Sequence, residues 1–382
     1  MRKIRMGMVG GGEGAFIGGV HRMAAALDGQ IELVCGAFSS DPAKSKRSGE
    51  ALFLPENRVY NSFEEMILKE KKLPASKRMD FVSIVTPNHV HFPPAKMALQ
   101  NGFHVVCDKP LCFNLEEAVE LEKLVAQTGL LFTLTHNYTG YPMVKQAKAM
   151  VKRGDFGKIR KVVVEYPQGW LSTFLESVNS DNKQAAWRTD PTKSGIVGAM
   201  GDIGTHAENL AEYITGLKIT RLYADLTTFV DGRLLDDDGS VLLEFEGGAK
   251  GILFASQICA GEENNLNIRV YGEKGGLHWF QMEPNSLITT WLDKPKTIMR
   301  TNGNGALPES LAHTRIPAGH PEGYLEGFAN LYRNFAKQVQ ARLAGEVADP
   351  IFDTPSVSDG VRGMNFIYKV VESNTQRHWV NM

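Results

Sequence analysis

The feature that most constrains the fold is an apolar run that leads directly into a cluster of glycines. Residues 4–9 form the run, a helical pattern begins at Gly18, and Gly10, Gly12 and Ala15 between them give G-x-G-x-x-A. Glycines let a backbone turn tightly against a pyrophosphate, whose charge then lies at the helix N-terminus. Any tight turn from strand to helix could hold such a cluster, but its place in a βαβ pattern favours dinucleotide binding. The predicted cofactor-binding residues here are Gly10, Gly12, Gly14, Ala15, Phe16 and Ile17.

The first third of the chain alternates short β-branched runs with amphipathic segments. This rhythm predicts an α/β fold with a doubly wound parallel sheet, a Rossmann domain over residues 1–137. The predicted strands are 4–9, 31–37, 81–86, 104–107 and 131–135. The predicted helices are 18–27, 62–69, 90–101 and 115–128, with Asn114 as the N-cap of the last.

After residue 141 the rhythm changes, and consecutive strands without intervening helices favour an antiparallel sheet. Residues 138–382 are therefore predicted to form a second, α+β domain. Its predicted strands are 159–166, 220–229, 239–245, 250–257 and 267–272, and its predicted helices are 144–153 and 205–215. The helical pattern at 323–343 and the segment from Pro355 are expected to pack against this second domain.

Composition limits the kinds of partner. The chain has 382 residues and a formal net charge of -1, with acidic and basic residues spread along its length, so we expect a small-molecule partner and neither nucleic acid nor a membrane. Four cysteines lack the spacing of a metal site and are interpreted as reduced thiols, and no metal is expected. The charged N-terminus is a poor signal peptide because its apolar run is short and contains Arg5, so the sequence predicts a cytoplasmic protein.

The choice between the two nicotinamide cofactors depends on the end of the second strand, where an acidic residue would bind the ribose 2′-hydroxyl. Ser39 stands there instead, and Asp41 is interpreted as the cap of a helix that carries Lys44 and Arg47 on a solvated face. Because no basic residue stands beside Ser39 to bind a 2′-phosphate, we expect NAD, with NADP possible. Ligands bind outside the carboxyl ends of such strands, which predicts Thr86, Pro87 and Asn88 at the cofactor site.

Three further residues are candidates for catalysis. Lys109 follows the fourth strand in an apolar context, where a lysine could hydrogen-bond a substrate oxygen or relay a proton. Asp202 and His206 lie one helical turn apart, and an imidazole tuned by a carboxylate suits the base that alcohol oxidation needs. The alternative, equally open on this segment alone, is an N-capping aspartate followed by a helix histidine.

Together these segments resemble the Gfo/Idh/MocA family, named after glucose-fructose oxidoreductase and inositol dehydrogenase. The glycine turn is followed by T-P-N-x-x-H at 86–91, D-K-P at 108–110 and G-x-x-x-D-x-G-x-H at 198–206. The resemblance implies an NAD(P)-dependent oxidoreductase with a Rossmann domain, a C-terminal domain with an open, mainly antiparallel sheet, and homodimers or homotetramers formed through that sheet. It implies Lys109 as the catalytic lysine, Asp202 as a substrate-orienting aspartate and His206 as the general base or acid.

Within this family the chain resembles the sugar, anhydrosugar and inositol dehydrogenases. By position, Ser39, His91, Asp108 and Lys109 join the predicted cofactor-binding residues, and Asp108 replaces the family's usual glutamate. The residues predicted to bind substrate are Lys109, Tyr138, Gln168, Trp170, Arg188, Asp202, His206, Asn209 and His320. Aromatic faces stack on the C–H side of sugar rings, and amides and guanidinium groups hydrogen-bond hydroxyls.

The predicted activity is oxidation of a secondary hydroxyl of a sugar, anhydrosugar or cyclic polyol to a ketone. His206 would take the hydroxyl proton while a hydride leaves the same carbon. Two alternatives remain: a cofactor-sensing regulator without catalysis, which needs only the glycine turn, and a reductase of the biliverdin-reductase type. The trio Lys109, Asp202 and His206 argues against the first, and the polar set of pocket residues argues against the second.

Overall fold

The computed structural model describes residues 2–176 and 182–382, and its first part alternates strands with helices. In chain order the strands are β1 (Ile4–Gly10), β2 (Ile31–Ala37), β3 (Phe81–Val85), β4 (His104–Cys107) and β5 (Phe132–Leu134). The helices are α1 (Phe16–Leu27), α2 (Pro42–Ala51), α3 (Phe63–Lys72), α4 (Phe92–Gln100) and α5 (Leu115–Thr128). Two predicted caps are confirmed: the Asn114 side chain accepts from Glu117 N and the Asp41 side chain from Ala43 N.

The five strands form one parallel sheet in the order β2-β1-β3-β4-β5, which confirms the predicted Rossmann architecture. β3 and β4 are buried at every residue, as expected for a parallel sheet whose faces are covered by helices. Gly10 pairs with Val85, and Ile84 pairs with Cys107. The carboxyl ends of β1, β3 and β4 therefore lie side by side at one edge of the sheet.

From residue 138 the chain contains a second group of elements. The helices are α6 (Pro142–Arg153), α7 (Lys183–Arg188), α8 (Pro191–Ser194), α9 (Thr205–Thr215), α10 (Pro308–Leu311), α11 (Tyr324–Leu343) and α12 (Val357–Gln376), with a π-helical segment at Met200–Gly204. The strands are β6 (Ile159–Pro167), β7 (Ile219–Thr227), β8 (Asp238–Phe245), β9 (Lys250–Ser256), β10 (Asn267–Gly272), β11 (Gly275–Phe280), β12 (Ser286–Trp291), β13 (Thr297–Arg300) and β14 (Val380–Asn381).

These strands form a nine-stranded sheet in the order β13-β12-β11-β10-β6-β9-β8-β7-β14. All neighbours are antiparallel except β6 and β9, which run parallel. The predicted α+β domain with a mainly antiparallel sheet is confirmed. The strands β11 to β14 were not predicted. β11, β12 and β13 lie toward one edge of the sheet, and β14 forms the other edge.

The chain divides into two compact units, and this division corrects one expectation. The first unit contains the residues up to Asn137 together with Tyr324–Val361, and the second contains Tyr138–Gly323 and Arg362–Met382. The prediction that the whole of 323–343 packs against the second domain is therefore wrong. The physical reason is the apolar stripe of α11, in which Phe328, Tyr332 and Phe335 are buried in the core of the first unit with residues of β1, β3 and α1.

The cysteines are free, and Cys35, Cys107 and Cys112 are buried while Cys259 is half-buried. Burial raises the pKa of the Cys35 and Cys107 thiols, and a buried, protonated thiol behaves as a small apolar side chain. Within residues 2–176 and 182–382, every helix is too short or too polar to cross a membrane.

Two neighbouring glycines at the start of α1 provide a matched test of the packing. A Cβ at Gly18 would lie 2.3 Å from Gly11 Cα, whereas a Cβ at Gly19 would meet nothing within 4 Å. We expect Gly18→Ala to lower the free energy of unfolding by about 1–3 kcal/mol through overpacking. Gly19→Ala should raise it by about 0.5 kcal/mol, because alanine loses less backbone entropy in a helix. Urea denaturation of both variants measures the difference, and equal stabilities would contradict the close approach.

Candidate active site

The glycine turn after β1 has the backbone geometry of an anion-binding loop. Gly10, Gly11 and Gly14 have φ of 82°, 72° and 76°, a region that favours glycine. The following helix α1 starts at Phe16 without a side-chain cap and without an acidic residue in its first turn. Its first N–H groups and the positive end of its dipole can therefore receive an anion.

A cavity of about 660 Å³ adjoins this turn within the first unit. Its walls include predicted residues, namely Gly12, Gly14, Ala15 and Phe16, and also Glu13, Arg22, Arg47, Ser48 and Leu52. A Cβ at Gly12 would lie 2.8 Å from Phe38 O, so only glycine fits where the turn passes β2. Ile17, also predicted to bind cofactor, instead packs against the hydrophobic core.

The end of β2 contributes to the same region. Ser39 Oγ accepts a hydrogen bond from Asp41 N at 3.1 Å and so stabilises the turn into α2. Arg47 is exposed, as predicted, and it also lines the cavity, where its Nε lies 3.4 Å from Glu13 Oε2. The sequence could not show this, because the pattern of α2 does not define how the helix is rotated toward the glycine turn.

The loops after β3 and β4 are joined by a buried histidine. His91 is fully buried, with Nδ1 2.8 Å from Pro110 O and Nε2 2.8 Å from Thr86 O. Both ring nitrogens thus contact backbone carbonyls, and the ring ties the loop after β3 to the loop after β4. Asn88 is buried beside it in the 3-10 turn Asn88–Val90.

Thr86 supplies a polar atom that suits a cofactor. Its Oγ1 is buried and has no hydrogen-bond partner among the described residues, and its Cγ2 would lie 2.8 Å from a Cβ at Gly10. Buried polar groups normally have a partner, so this hydroxyl beside the glycine turn fits a ligand that hydrogen-bonds it. With the glycine cradle and the uncapped helix, the residues present fit a dinucleotide.

Asp108, directly after β4, is held on one side by a threonine and faced on the other by a histidine. Thr135 Oγ1 donates to Asp108 Oδ1 at 2.7 Å, and His21 Nε2 lies 3.7 Å from the same oxygen. Burial acts to raise the pKa of Asp108, but His21, Lys109 and Thr135 together hold that pKa below its ordinary value. Asp108 is therefore an anion at neutral pH, immediately before the predicted catalytic lysine.

In the second unit Asp202 lies in the π-helical segment that leads into α9, and π-helical turns occur frequently at functional sites. A second aspartate anchors the start of this segment: Asp236 accepts from Gly198 N at 2.6 Å and from Met200 N at 2.8 Å. Burial raises the pKa of Asp236 to about 6, against the two N–H donors, which lower it. The backbone that carries Asp202 is thus fixed by hydrogen bonds at its first turn.

The Asp202 carboxylate has two neighbours that orient it. Arg188 Nε donates to Oδ2 at 3.1 Å, and Gln257 Nε2 donates to the same oxygen at 2.9 Å. The Arg188 guanidinium lies over the ring of Trp187, 4.3 Å from its centroid, and 5.9 Å from that of Trp170. Asp202 therefore belongs to a polar and aromatic surface, which is more than an N-cap requires.

A network of neutral side chains continues from Gln257 toward His206. Gln168 Oε1 accepts from Trp170 Nε1 at 3.0 Å and lies 3.4 Å from Gln257 Nε2. Asn264 accepts from Gln168 Nε2 at 2.6 Å, and its own Nδ2 donates to the Tyr138 hydroxyl at 3.1 Å. The Tyr138 ring meets the His206 ring edge to face, 4.9 Å between centroids.

We call this set the second-unit cluster. Its members are Tyr138, Tyr166, Gln168, Trp170, Arg188, Asp202, His206, Gln257 and Asn264. Three residues predicted to bind substrate lie outside this cluster, and Lys109 is one of them because it belongs to the first unit. Asn209 is buried in α9 with its Oδ1 unpartnered among the described residues, and His320 is exposed with its Nδ1 3.2 Å from Pro317 O.

Three members of the cluster were not predicted as site residues, namely Tyr166, Gln257 and Asn264. Tyr166 lies in β6 and Gln257 directly follows β9, and these two strands are parallel, so their carboxyl ends lie together. The rhythm of the sequence predicts antiparallel strands, which would place those ends apart. The polar residues at the ends of both strands were the available signal. Among the described residues, no group of three or more His, Cys, Asp and Glu side chains could hold a metal ion.

Comparison with known proteins identifies both parts of the chain. A family model described as "Oxidoreductase family, NAD-binding Rossmann fold" matches residues 4–136, and a model of the GFO/IDH/MocA C-terminal domain matches residues 144–278. The crystal structure of an oxidoreductase from Sinorhizobium meliloti is 46% identical, with 100% of both chains covered and a TM-score of 0.90.

Two further relatives have more specific names. An inositol dehydrogenase homolog from Azotobacter vinelandii, crystallised with NADH and myo-inositol, is 33% identical over 100% of this chain and 98% of its own, with a TM-score of 0.91. Levoglucosan dehydrogenase from Pseudarthrobacter phenanthrenivorans is 26% identical over 304 residues, 72% of this chain and 73% of its own. The first unit is therefore an NAD-binding Rossmann domain.

Cofactor choice can be tested at Ser39 and Arg47. We expect Ser39→Asp to weaken NADPH binding relative to NADH by at least about tenfold, because a carboxylate against a 2′-phosphate costs more than about 1.4 kcal/mol. Arg47→Ala should also weaken NADPH binding, because it removes a cation from the cavity. Fluorescence titration with both reduced cofactors measures the ratios, with Lys3→Ala as an exposed control. An unchanged ratio in both variants would place neither residue near the ribose.

Proposed function

Because the chain belongs to the Gfo/Idh/MocA family of NAD-binding oxidoreductases, we propose that it is a dehydrogenase that acts on a secondary hydroxyl of a sugar, anhydrosugar or cyclic polyol. The relatives named for inositol and levoglucosan support this class of substrate. Four of the nine residues of the second-unit cluster are aromatic or stack on aromatic rings, and the others carry amide, carboxylate or imidazole groups.

The observation that carries the proposal is the hydrogen-bonded connection between Asp202 and the tyrosine beside His206. Asp202 is linked through Gln257, Gln168 and Asn264 to Tyr138. The network fixes neutral donors and acceptors beside aromatic faces. A ring with several hydroxyls matches both features, since its hydroxyls replace amide contacts and its C–H face packs on tryptophan or tyrosine.

NAD is held, in this proposal, by the glycine turn, by the N-terminus of α1 and by Thr86, Pro87, Asn88 and Asp108. When bound, NAD supplies the acceptor for a hydride. Gly12 keeps the turn close to β2, and the N–H groups at the start of α1 receive the pyrophosphate charge. The Asp108 carboxylate lies beside Lys109 in sequence and keeps a negative charge next to that ammonium group.

Oxidation of an alcohol removes a proton from oxygen and a hydride from the same carbon. We assign the proton to His206. This residue is 7% exposed, and its ring packs edge to face with the ring of Tyr138. Lys109 hydrogen-bonds the substrate oxygen and stabilises the charge that develops when its proton leaves. Asp202, fixed by Arg188 and Gln257, orients the substrate hydroxyl and the imidazole.

The reaction is tested by following absorbance of reduced nicotinamide while inositols, anhydrosugars and aldoses are offered with NAD or NADP. Growth of the signal with a cyclic polyol or sugar, together with a ketone product, supports the proposal. NAD binding without turnover of any of these compounds would favour a cofactor-sensing regulator. Turnover only with an unsaturated or imine substrate and NADH would favour the reductase alternative.

A histidine variant tests the assignment of the base. We expect His206→Ala to lower kcat by about two to four orders of magnitude, the usual contribution of a general base. NADH affinity should stay near the wild-type value, because the cofactor residues lie in the first unit. His378→Ala is the matched control, since His378 is an exposed histidine of the same unit. A kcat within about threefold of wild type in His206→Ala would assign the proton to another group.

We also propose that the protein assembles as a homodimer or homotetramer through the nine-stranded sheet. One row of paired residues crosses a single face of that sheet: Leu242, Ile252, Val163, Arg269, His278, Ile288 and Ile298. Leu242 is 47% exposed and Ile298 is 53% exposed, while Leu243 and Leu253 on the opposite face are buried. An uncovered apolar sheet face is a typical interaction surface.

An arginine in this row should disrupt the assembly. We expect Leu242→Arg to shift the protein toward monomers, because it places a charge within an apolar interface. Light scattering after size-exclusion chromatography measures the mass. Leu292→Arg is the control, since Leu292 is 84% exposed in the turn between β12 and β13. A wild-type monomer, or an unchanged mass in Leu242→Arg, would contradict this interface.

A further inference from the structure

A buried row of polar side chains leads from the middle of the parallel sheet to Asp108. The Ser83 hydroxyl, in β3, lies 2.8 Å from the Tyr332 hydroxyl of α11. The same Tyr332 oxygen lies 2.6 Å from His21 Nδ1, and His21 Nε2 lies 3.7 Å from Asp108 Oδ1. Ser83, Tyr332 and His21 are each no more than 1% exposed. Side chains of β3, α11 and α1 thus form one row that ends at the carboxylate after β4.

The contacts of this row define a direction for its protons. A tyrosine hydroxyl has one proton, and burial raises the pKa of Tyr332, so that proton remains at neutral pH. When Ser83 donates to the Tyr332 oxygen and Tyr332 donates to His21 Nδ1, both short contacts are satisfied. A single proton on the imidazole then belongs on Nε2, which faces Asp108. With that proton on Nδ1 instead, a nitrogen lone pair would face the carboxylate.

We propose that His21 is a positioning residue: its Nδ1 accepts from Tyr332 and its Nε2–H is directed at Asp108, which keeps that carboxylate ionised and oriented beside Lys109. The inference about the tautomer depends only on the first unit. Its consequence for catalysis rests on the proposed function, in which Lys109 acts on the substrate oxygen. The row therefore controls the charge next to the lysine without touching substrate or cofactor.

The other titratable groups around Asp108 do not replace this N–H. Burial lowers the pKa of His136 to about 4, so that ring is neutral at neutral pH, and burial also lowers the pKa of His91. His91 directs its nitrogens at Thr86 O and Pro110 O, as described above. Around Asp108 and His136, the other charged or titratable side chains are those of Lys109, Cys107 and Asp359. Among these side chains, His21 and Lys109 are the sources of positive potential.

A purely apolar role for His21 does not account for its contacts. Its ring packs edge to face on Phe328, 4.7 Å between centroids, and a phenylalanine or leucine could fill that space. Such a residue would leave the Tyr332 hydroxyl without its nearest partner and Asp108 without an N–H on that side. Removing one hydrogen-bond partner from a buried hydroxyl, and the N–H that faces a buried carboxylate, costs free energy that an apolar contact does not return.

The tautomer is tested by imidazole ¹⁵N NMR on the full chain, with the His21 signals assigned by their loss in His21→Gln. We expect a proton-bearing Nε2 and a hydrogen-bond-accepting Nδ1 between about pH 6 and pH 8. Tyr332→Phe removes the donor to Nδ1, so its spectrum should show a mixture of tautomers. Ser83→Ala removes the other hydroxyl contact of Tyr332 and should keep the wild-type His21 signals. It is therefore the control for loss of a buried hydrogen bond.

The outcomes separate this inference from the proposed function. Protonation of Nδ1 alone, protonation of both nitrogens, or an unchanged spectrum in Tyr332→Phe would each overturn it, whether or not a substrate has been found. With a substrate, we expect kcat/KM to fall about tenfold in Tyr332→Phe, because a carboxylate that is no longer held in place leaves Lys109 less precisely oriented, and to stay close to wild type in Ser83→Ala. Equal losses in the two variants would mean that the row only stabilises the fold.

Discussion

The first unit depends on the contact of two glycines. Gly18 in α1 lies so close to Gly11 in the turn after β1 that neither position has room for a side chain. This contact fixes where α1 begins, and the start of α1 forms one wall of the cavity beside the glycine turn. The same helix carries His21 inward and packs beside α11. The close contact between these two backbone segments thus positions both the N-terminus of α1 and the His21 imidazole that faces Asp108.

In the second unit the corresponding constraint is one parallel strand pair in a mainly antiparallel sheet. Because β6 and β9 run in the same direction, Gln168 and Gln257 follow their carboxyl ends at the same edge. Asp202 reaches that edge from a π-helical segment whose first turn is anchored by Asp236. The cluster is therefore assembled from strand ends and a helix start, where side chains converge without interrupting the hydrogen bonding of the sheet.

Short patterns in the sequence predicted much of the fold and of the candidate site. Contacts between residues that are distant along the chain could not be predicted from such patterns. The caps Asn114 and Asp41, the glycine turn and the order of strands and helices follow from short patterns, which are determined by nearby residues. The unit in which α11 packs could not be predicted, because an apolar stripe on a helix does not specify the surface that covers it. The contact between His21 and Tyr332 could not be predicted for the same reason. The two residues are 311 positions apart along the chain, and they meet only because α11 packs in the first unit.

The charge balance of the second-unit cluster bears on which hydroxyl compounds it suits. Arg188 and Asp202 form an ion pair, and the side chains that extend the network are amides and phenols. A phosphate or carboxylate on the substrate would compete with Asp202 for Arg188, whose side chain is 24% exposed against 14% for Asp202. An uncharged ring introduces no such competition, because each hydroxyl both donates and accepts and can exchange with an amide contact. For the substrate class proposed above, the electrostatics of the cluster therefore favour neutral polyols over phosphorylated or acidic sugars, and they do so through the same Arg188 contact that fixes Asp202.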